Sequence, residues 1–281
     1  QLRMNIDQGD STALRAFLDR YERTYVAERF RTDWIRWLGK RGMWAEVEAE
    51  YPKLLAPEPD VTCYFQQARL AAGDPVVLDD VQKQWLTLLE PPEACRAVLE
   101  ALIRNNRVTA DDVWARARRQ FEANRTGPAK ATLGALPVSQ TPDAKALELV
   151  ISSPMAYLAK QAGNWYATRA GRELAALAIQ RIAANDPRAA ASELEKLQGR
   201  MQASERDWAW SQIALQGAKK HYAEALSWFA QAGMASLSDE SYHWKVRAAL
   251  RAHDWSVVLA TINDMPPLLA AQPEWIYWLG R

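Results

Sequence analysis

Apolar residues recur along the chain at the spacing of an α-helix. Val26, Phe30, Trp34, Trp37 and Leu38 lie at positions i, i+4, i+8, i+11 and i+12, which form one face of a helix. Similar stripes follow within residues 43–54 and 77–88, and no stretch shows the sustained alternation of apolar and polar residues that is typical of a strand. The pattern predicts an all-α protein of about a dozen short helices.

Residues that favour helix ends divide these stripes. Gly39 and Gly42 are expected to end the helix that carries Trp34. Thr109 and Asp112 have the spacing of a capping box, in which each side chain bonds to the backbone near the other. Four prolines are expected in the first turn of further helices, the first two behind the caps Thr141 and Ser153: Pro142, Pro154, Pro187 and Pro273.

Internal similarity favours a repeat architecture. The strings D-W-I-R-W-L-G at 33–39 and E-W-I-Y-W-L-G at 274–280 nearly coincide. Trp210, Trp244 and Trp278 are spaced 34 residues apart, the period of a tetratricopeptide-type helix pair. We therefore predict a superhelical solenoid of short antiparallel helix pairs, in which each pair buries its stripe against its neighbours. The tryptophans are interpreted as wedges in a thin core, with sugar stacking on an exposed ring as the alternative.

Composition narrows the function classes. The 281 residues are 49% hydrophobic and 25% charged, which excludes a disordered chain. Lys+Arg 35 against Asp+Glu 34 leaves a net charge of +1, which gives no electrostatic case for a nucleic-acid partner. No apolar run reaches the roughly 18 residues of a membrane span. Both ends lie inside a helical pattern, so residues 1–281 are expected to be a single domain cut from a longer protein.

Motifs of enzyme chemistry are missing from the sequence. It contains no HExxH, CxxC, GxGxxG, GxxxxGK[ST] or GxSxG string, so metal, nucleotide and hydrolase sites have no support and no cofactor is expected. His221, His243 and His253 have no cysteine or carboxylate at ligand spacing, and we interpret His243 and His253 as polar residues of a helix pair.

The densest charge cluster lies in the middle of the chain. Residues 104–145 hold eight Lys or Arg against four acids. We interpret this cluster as a solvated helix face, with a weak surface for an anionic ligand as the alternative. The residues of that surface would be Arg116, Arg118, Arg119 and Arg125.

Cys63 and Cys95 are the only cysteines, 32 positions apart in neighbouring predicted helices. In a cytosolic protein they would be two buried thiols, whereas in an exported protein the even number favours a disulfide. The spacing alone does not decide between these.

Longer strings resemble a known family. A-L-R-A-F-L-D-R-Y, R-F-R-T-D-W-I-R-W-L-G-K-R-G-M-W and T-C-Y-F-Q-Q-A-R-L-A-A-G lie within residues 11–105, and E-A-C-R-A-V-L follows them. In order and spacing they resemble the superhelical domain of the soluble lytic murein transglycosylases of the Gram-negative periplasm. D-W-A-W, E-S-Y-H-W-K-V-R-A-A-L and P-E-W-I-Y-W-L-G-R are similar to later helices of that domain, so the resemblance covers nearly the whole chain.

The resemblance implies a curved or ring-shaped array of helices that supports a lysozyme-like catalytic domain downstream. A lone glutamate of that domain cleaves the bond between N-acetylmuramic acid and N-acetylglucosamine to a 1,6-anhydromuramoyl end, without metal or organic cofactor. The implied partners are peptidoglycan glycan strands and the protein's own catalytic domain, and the implied location is the periplasm. The family's cysteine pair implies a disulfide between Cys63 and Cys95.

The chain departs from the family at the catalytic motif. Glu-Ser followed by Gly-Leu-Met-Gln marks the catalytic domain, and the second string is absent. Glu240-Ser241 precedes a helical stripe instead, so we interpret Glu240 as an acid near a helix start, where the dipole favours it. We therefore predict a non-catalytic domain, with a stand-alone tetratricopeptide-like scaffold for a protein partner as the alternative.

Overall fold

The computed structural model describes residues 11–281 except 162 and 234, and within these residues every regular element is helical. The all-α prediction is confirmed, although the described residues form eighteen α-helices and not about a dozen, because several are only one or two turns long. The α-helices are α1 (Ser11–Arg20), α2 (Tyr25–Lys40), α3 (Trp44–Glu50), α4 (Pro59–Ala71), α5 (Val77–Gln84), α6 (Arg96–Arg104), α7 (Ala110–Glu122), α8 (Thr126–Leu133), α9 (Ala144–Ser152), α10 (Pro154–Ala159), α11 (Arg169–Asn185), α12 (Pro187–Leu197), α13 (Ala203–Lys219), α14 (Ala225–Gln231), α15 (Asp239–Arg251), α16 (Trp255–Asn263), α17 (Pro267–Ala270) and α18 (Pro273–Gly280).

The helices fall into two compact units. Unit 1 comprises residues 1–120 and 125–135, and unit 2 comprises residues 121–124 and 136–281. Within unit 1, α2 contacts α3 and α4, and α4 contacts α5 and α6. Within unit 2, α11 contacts α12 and α13, and α13 contacts α14 and α15. A helix that packs on the next helix and the next but one is typical of a solenoid of helix pairs. The single domain over residues 1–281 and its ring or horseshoe shape stay predictions.

The core of unit 1 forms around α2. Phe30, Trp34 and Leu38 are at most 5% exposed, as the stripe predicts, and they pack with Val47 of α3. Val26 is the exception: it is 61% exposed at the first turn of α2, so its predicted place in the core is wrong. The stripe identified the buried face but not where along the helix burial begins.

Gly39 does not end α2. The helix runs on to Lys40, and a Cβ atom at Gly39 would lie 2.3 Å from the ring of Tyr64 in α4. Gly39 is therefore a close-packing residue that lets α2 and α4 approach each other. Gly42 takes the expected role, because its φ of +68° is a left-handed conformation that glycine adopts without steric cost.

The same left-handed position recurs after other helices. Gly73 follows α4, Asn106 follows α6, His221 follows α13 and His253 follows α15, all with φ between +52° and +80°. The spacing of 32 residues between His221 and His253 is close to the predicted repeat. These two histidines are therefore turn residues, and His253 has a structural role in the turn between α15 and α16.

Most predicted helix starts are correct. Asp112 accepts hydrogen bonds from the backbone N–H and hydroxyl of Thr109, and its own N–H donates to the Thr109 hydroxyl, which completes a capping box. Pro154, Pro187 and Pro273 each begin a helix. The prediction at Thr141 is wrong, because Asp143 caps α9 by accepting a 2.8 Å hydrogen bond from the Ala146 N–H. An aspartate is as good a cap as threonine, and it lies closer to the apolar stripe.

A disulfide joins Cys63 of α4 to Cys95, which lies in a 3₁₀ turn immediately before α6. The two Cα atoms are 4.9 Å apart, and the side chains are at most 1% exposed. Closing a 32-residue loop in the unfolded chain stabilises a fold by about 3–4 kcal/mol in the chain-entropy model. The bond therefore fastens α4 to the start of α6.

Two ion-pair groups also tie α2 to its neighbours. Arg31 Nε lies 3.1 Å from Glu50 Oε2, and the two side chains are only 4% and 2% exposed. Arg31 Nη1 also donates to the backbone carbonyl of Lys53, whose ammonium lies 2.8 Å from Glu50. Nearer the surface, Arg36 Nε donates a 2.5 Å hydrogen bond to Asp60 at the start of α4. Both groups fix the position of α2 electrostatically as well as through its apolar face.

In unit 2 the repeated tryptophans have different surroundings. Trp210 is 1% exposed and donates from Nε1 to Gln198 Oε1, whereas Trp244 and Trp278 are half-buried. Trp275 is the buried tryptophan of the last helix at 2% exposure, so it is the counterpart of Trp34 in the repeated string. The thin-core interpretation is correct for one tryptophan in each of these strings.

Gly217 shows how closely the helices of unit 2 pack. A Cβ atom at this position of α13 would lie 2.5 Å from the indole of Trp228 in α14. The large ring of one helix therefore fits against the bare backbone of the next, and any larger residue at 217 would have to displace it.

Candidate functional site

The structure does not bring the four predicted arginines onto one surface. Arg116 is 2% exposed, Arg118 and Arg119 are half-buried and engaged by neighbouring groups, and only Arg125 is exposed. The Nε atom of Arg125 lies 3.1 Å from a carboxylate oxygen of Glu90. The positive charge counted along the sequence is therefore divided between the interior and paired surface groups.

Arg116 forms hydrogen bonds with the backbone of unit 1. Its guanidinium donates hydrogen bonds to the carbonyl oxygens of Trp85 and Leu88, where the chain leaves α5, and it lies 4.8 Å from the centre of the Trp85 ring. Burial lowers the pKa of Arg116 to about 10, so the group is still charged at neutral pH. Buried carbonyls need a donor, and Arg116 supplies two in the fork geometry of a guanidinium.

A groove of about 610 Å³ opens beside Arg116 in unit 1. Its floor is apolar, with Trp85, Leu99 and Ile103, and its rim carries Glu90, Glu93 and Glu100 among other residues. Arg96 and Arg125 pair with two of these carboxylates. The groove is therefore apolar inside and has no excess of positive charge at its edge.

A second cavity, the unit 2 cleft, has different chemistry. We define the unit 2 cleft as the cavity of about 580 Å³ between the chain before α9, α10 and the start of α11. Its lining includes the hydroxyl and amide residues Ser139, Thr141, Gln161, Asn164 and Thr168, the aromatic residues Tyr157 and Trp165, and the charged residues Asp143, Lys145 and Lys160. Burial raises the pKa of Tyr157, so its hydroxyl stays protonated at neutral pH.

Sequence reasoning missed the unit 2 cleft. Lys145 was counted only as part of a charge cluster, and the segment from Lys160 to Thr168 carries no helical stripe. A signal was nevertheless present in K-Q-A-G-N-W-Y, where three polar and two aromatic residues lie close together without helical spacing. Loops of this composition, held by a rigid scaffold, often carry binding residues.

No other chemistry appears within the described residues. They contain no group of three or more His, Cys, Asp or Glu side chains placed to hold a metal ion. Glu240 lies in the first turn of α15 and its Oε1 is 2.7 Å from the ammonium of Lys219, which agrees with the interpretation of Glu240 as a helix-start acid. None of the helices described combines the length and apolarity that crossing a membrane would require.

No protein-family model and no curated protein sequence matches the chain. Solved structures do match it. The lytic transglycosylase Slt from Pseudomonas aeruginosa, as an inactive mutant, aligns with 99% of this chain and 45% of its own at 22% identity and a TM-score of 0.66. This chain shares its helical fold. The 70 kDa soluble lytic transglycosylase from Escherichia coli aligns with 99% of this chain and 46% of its own at 19% identity and a TM-score of 0.60.

A third structure, the 70 kDa soluble lytic transglycosylase in complex with bulgecin A, gives 20% identity and a TM-score of 0.61 over 99% of this chain and 46% of its own. The resemblance to lytic transglycosylases predicted from the sequence is thus confirmed at the level of the fold. The chain spans a little under half the length of each of these structures.

Proposed function

We propose that this chain is the non-catalytic helical domain of a periplasmic lytic transglycosylase and that it positions or restricts peptidoglycan strands for a lysozyme-like domain. That domain would cleave the bond between N-acetylmuramic acid and N-acetylglucosamine to a 1,6-anhydromuramoyl product. The observation that carries the proposal is the match of 99% of the chain to less than half of a lytic transglycosylase.

The disulfide supports the proposed location. Disulfides form and persist in oxidising compartments such as the bacterial periplasm and are rare in the cytosol of mesophiles. Cys63 and Cys95 are fully enclosed by unit 1, so a reductant would reach them only after local opening. A buried disulfide of this kind is typical of the structural disulfides of exported proteins, whereas the cysteines of a redox sensor are accessible to solvent.

The surroundings of Glu240 support a non-catalytic role. A general acid for glycoside cleavage needs a raised pKa, which is usually produced by an apolar pocket. Glu240 instead has a side chain 53% exposed to solvent and an ammonium partner 2.7 Å away. We therefore expect cleavage to depend on a partner domain.

Sedimentation with purified peptidoglycan sacculi tests the proposal. The purified chain is expected to pellet with sacculi above the background of an unrelated protein of similar charge, and to release no 1,6-anhydromuropeptides on its own. Failure to pellet at micromolar concentration would contradict the role in holding glycan. Release of anhydromuropeptides by the chain alone would contradict the non-catalytic role.

The coding region after Arg281 gives an independent test of the partner domain. Glu-Ser and Gly-Leu-Met-Gln strings within the following few hundred codons would support the proposed catalytic partner. A stop codon close behind Arg281 would refute it and would favour the tetratricopeptide-like scaffold for a protein partner.

A further inference from the structure

The unit 2 cleft has the size of a ligand site. Its volume of about 580 Å³ falls within the 300–1,000 Å³ that small-molecule sites usually occupy. The chain before α9, the end of α10 and the turn before α11 each contribute polar side chains to it. Three separate elements therefore converge on one space, which a single helix surface cannot achieve.

The neutral polar groups of the cleft suit a ligand with many hydroxyl and amide groups. Within the described residues, the side chains of Ser139 and Asn164 make no hydrogen bond to the protein, although both line the cavity. Thr141 and Thr168 already bond to nearby backbone groups, which holds their positions. The cleft thus has side chains that are free to form hydrogen bonds with a ligand, next to hydroxyl groups that the backbone holds in place.

The cations of the cleft are also uncommitted. Lys145 and Lys160 line it, and neither forms an ion pair with another described residue. Asp143, the acid beside them, accepts from the backbone N–H of Ala146 as the cap of α9. Two ammonium groups against one partly engaged carboxylate leave a local net charge of +1, which favours an anion.

Aromatic side chains complete the lining. Trp165 is half-buried at the edge of the cleft, and Tyr157 is 9% exposed within it. The C–H groups on one face of a sugar ring are apolar and can pack on an indole, while its hydroxyls reach amides and hydroxyls around it. An indole beside hydroxyl, amide and ammonium groups is therefore suited to a saccharide that carries an acid.

We propose that the unit 2 cleft binds a carboxylate-bearing saccharide of about disaccharide size, with Lys145 and Lys160 contacting the carboxylate and Trp165 the sugar face. This inference rests on the proposed function, because it gives the glycan strand a place of contact. In peptidoglycan the carboxylate belongs either to the lactyl group of N-acetylmuramic acid or to a stem peptide. The groove of unit 1 does not suit such a ligand, because Glu90, Glu93 and Glu100 stand at its rim.

Titration calorimetry on the full chain tests the cleft. The probes are the disaccharide of N-acetylglucosamine and N-acetylmuramic acid, the same disaccharide with its stem peptide, and the neutral N-acetylglucosamine disaccharide. We expect the acidic disaccharide to bind about tenfold more tightly than the neutral one, because two exposed ammonium–carboxylate contacts are each worth less than a factor of ten. The advantage should shrink as salt is added. A preference seen only with the stem peptide would assign the carboxylate to the peptide, whereas a preference already present without it would assign the carboxylate to the lactyl group. No preference for either acidic probe over the neutral disaccharide would overturn the proposal.

Matched variants separate the cleft from the rest of the surface. Lys145→Gln with Lys160→Gln should remove the preference for the acid, and Trp165→Ala should weaken both disaccharides at least fivefold. The controls are Lys196→Gln with Lys219→Gln, and Trp255→Ala, whose indole is 53% exposed elsewhere on unit 2. All six side chains are at least partly exposed, so the variants should fold.

The outcomes distinguish this inference from the proposed function. If the wild-type chain pellets with sacculi but the cleft variants bind like the controls, the cleft assignment is wrong and the proposed function stands. If neither sacculi nor any disaccharide binds, both are wrong. Equal loss in the cleft and control variants would indicate a diffuse surface effect and would also overturn the cleft assignment.

Discussion

Removing Glu50 is the sharpest test of how unit 1 is held together. In Glu50→Ala the guanidinium of Arg31 would keep only its 3.3 Å hydrogen bond to the Lys53 carbonyl, inside a site that is 4% exposed. The loss of the Lys53 ion pair would cost less stability, because the Lys53 side chain is 44% exposed and water can take the place of the carboxylate. The loss of folding stability therefore comes mainly from the buried charge of Arg31, which would have no carboxylate partner.

The expected size follows from that imbalance. Removing one partner of a buried ion pair costs about 3–5 kcal/mol, whereas replacing both partners by apolar residues of similar volume is often neutral or stabilising. We therefore expect Glu50→Ala to lower the free energy of opening of α2 by about 3–5 kcal/mol. Arg31→Met combined with Glu50→Leu should recover most of that loss.

The measurement must report on unit 1 by itself, because the two units need not unfold together. Hydrogen exchange of α2 amides, followed in increasing urea, gives the local free energy of opening. Glu193→Ala is the control, because Glu193 pairs with Lys196 on the surface of unit 2, where such pairs are worth less than about 1 kcal/mol. An effect of Glu50→Ala no larger than that of the control, or a double variant as unstable as the single one, would refute the reasoning.

Three further predictions concern contacts described above. Cys63→Ser with Cys95→Ser should lower stability by about 3–4 kcal/mol under oxidising conditions, and wild type in reductant should match it in calorimetry. Gly217→Ala should cost about 1–3 kcal/mol in urea denaturation, because its methyl group would overlap an indole; an unchanged midpoint would contradict this. At Asp60, burial acts to raise the pKa but the Arg36 guanidinium outweighs it, so the pKa lies below 3.8. The pair therefore stabilises unit 1 fully above about pH 4 and is lost as the pH falls through the lowered pKa. Asp60→Asn should accordingly lose less stability than wild type between pH 6 and pH 3, and equal losses would exclude this role.

Periodicity predicted the helices well because it reports directly on burial. The buried places of Trp34 and Leu38 and the starts at Pro187 and Pro273 depend on residues within one or two turns. The prediction that Gly39 ends α2 was wrong, because glycine can either end a helix or make room for a neighbouring ring. Only the packing of α4 against α2 decides between these two roles.

The candidate sites were harder to predict for the same physical reason. Arg116 was counted as surface charge, yet its partners are the carbonyls of Trp85 and Leu88, which lie 31 and 28 residues away in sequence. The unit 2 cleft is assembled from three elements, and none of them carries a recognisable motif alone. Sites made by tertiary convergence leave only a weak trace in composition.

The disulfide also sets how the chain would respond to mechanical force. A chain pulled from its ends lengthens by at most about 3.3–3.6 Å for every residue released. The crosslink between Cys63 and Cys95 spans a sequence separation of 32, so roughly 110 Å of contour length stays locked even when unit 1 has unravelled. While the bond is intact, the chain therefore has a shorter limit of extension, and only reduction of the bond would release the locked length.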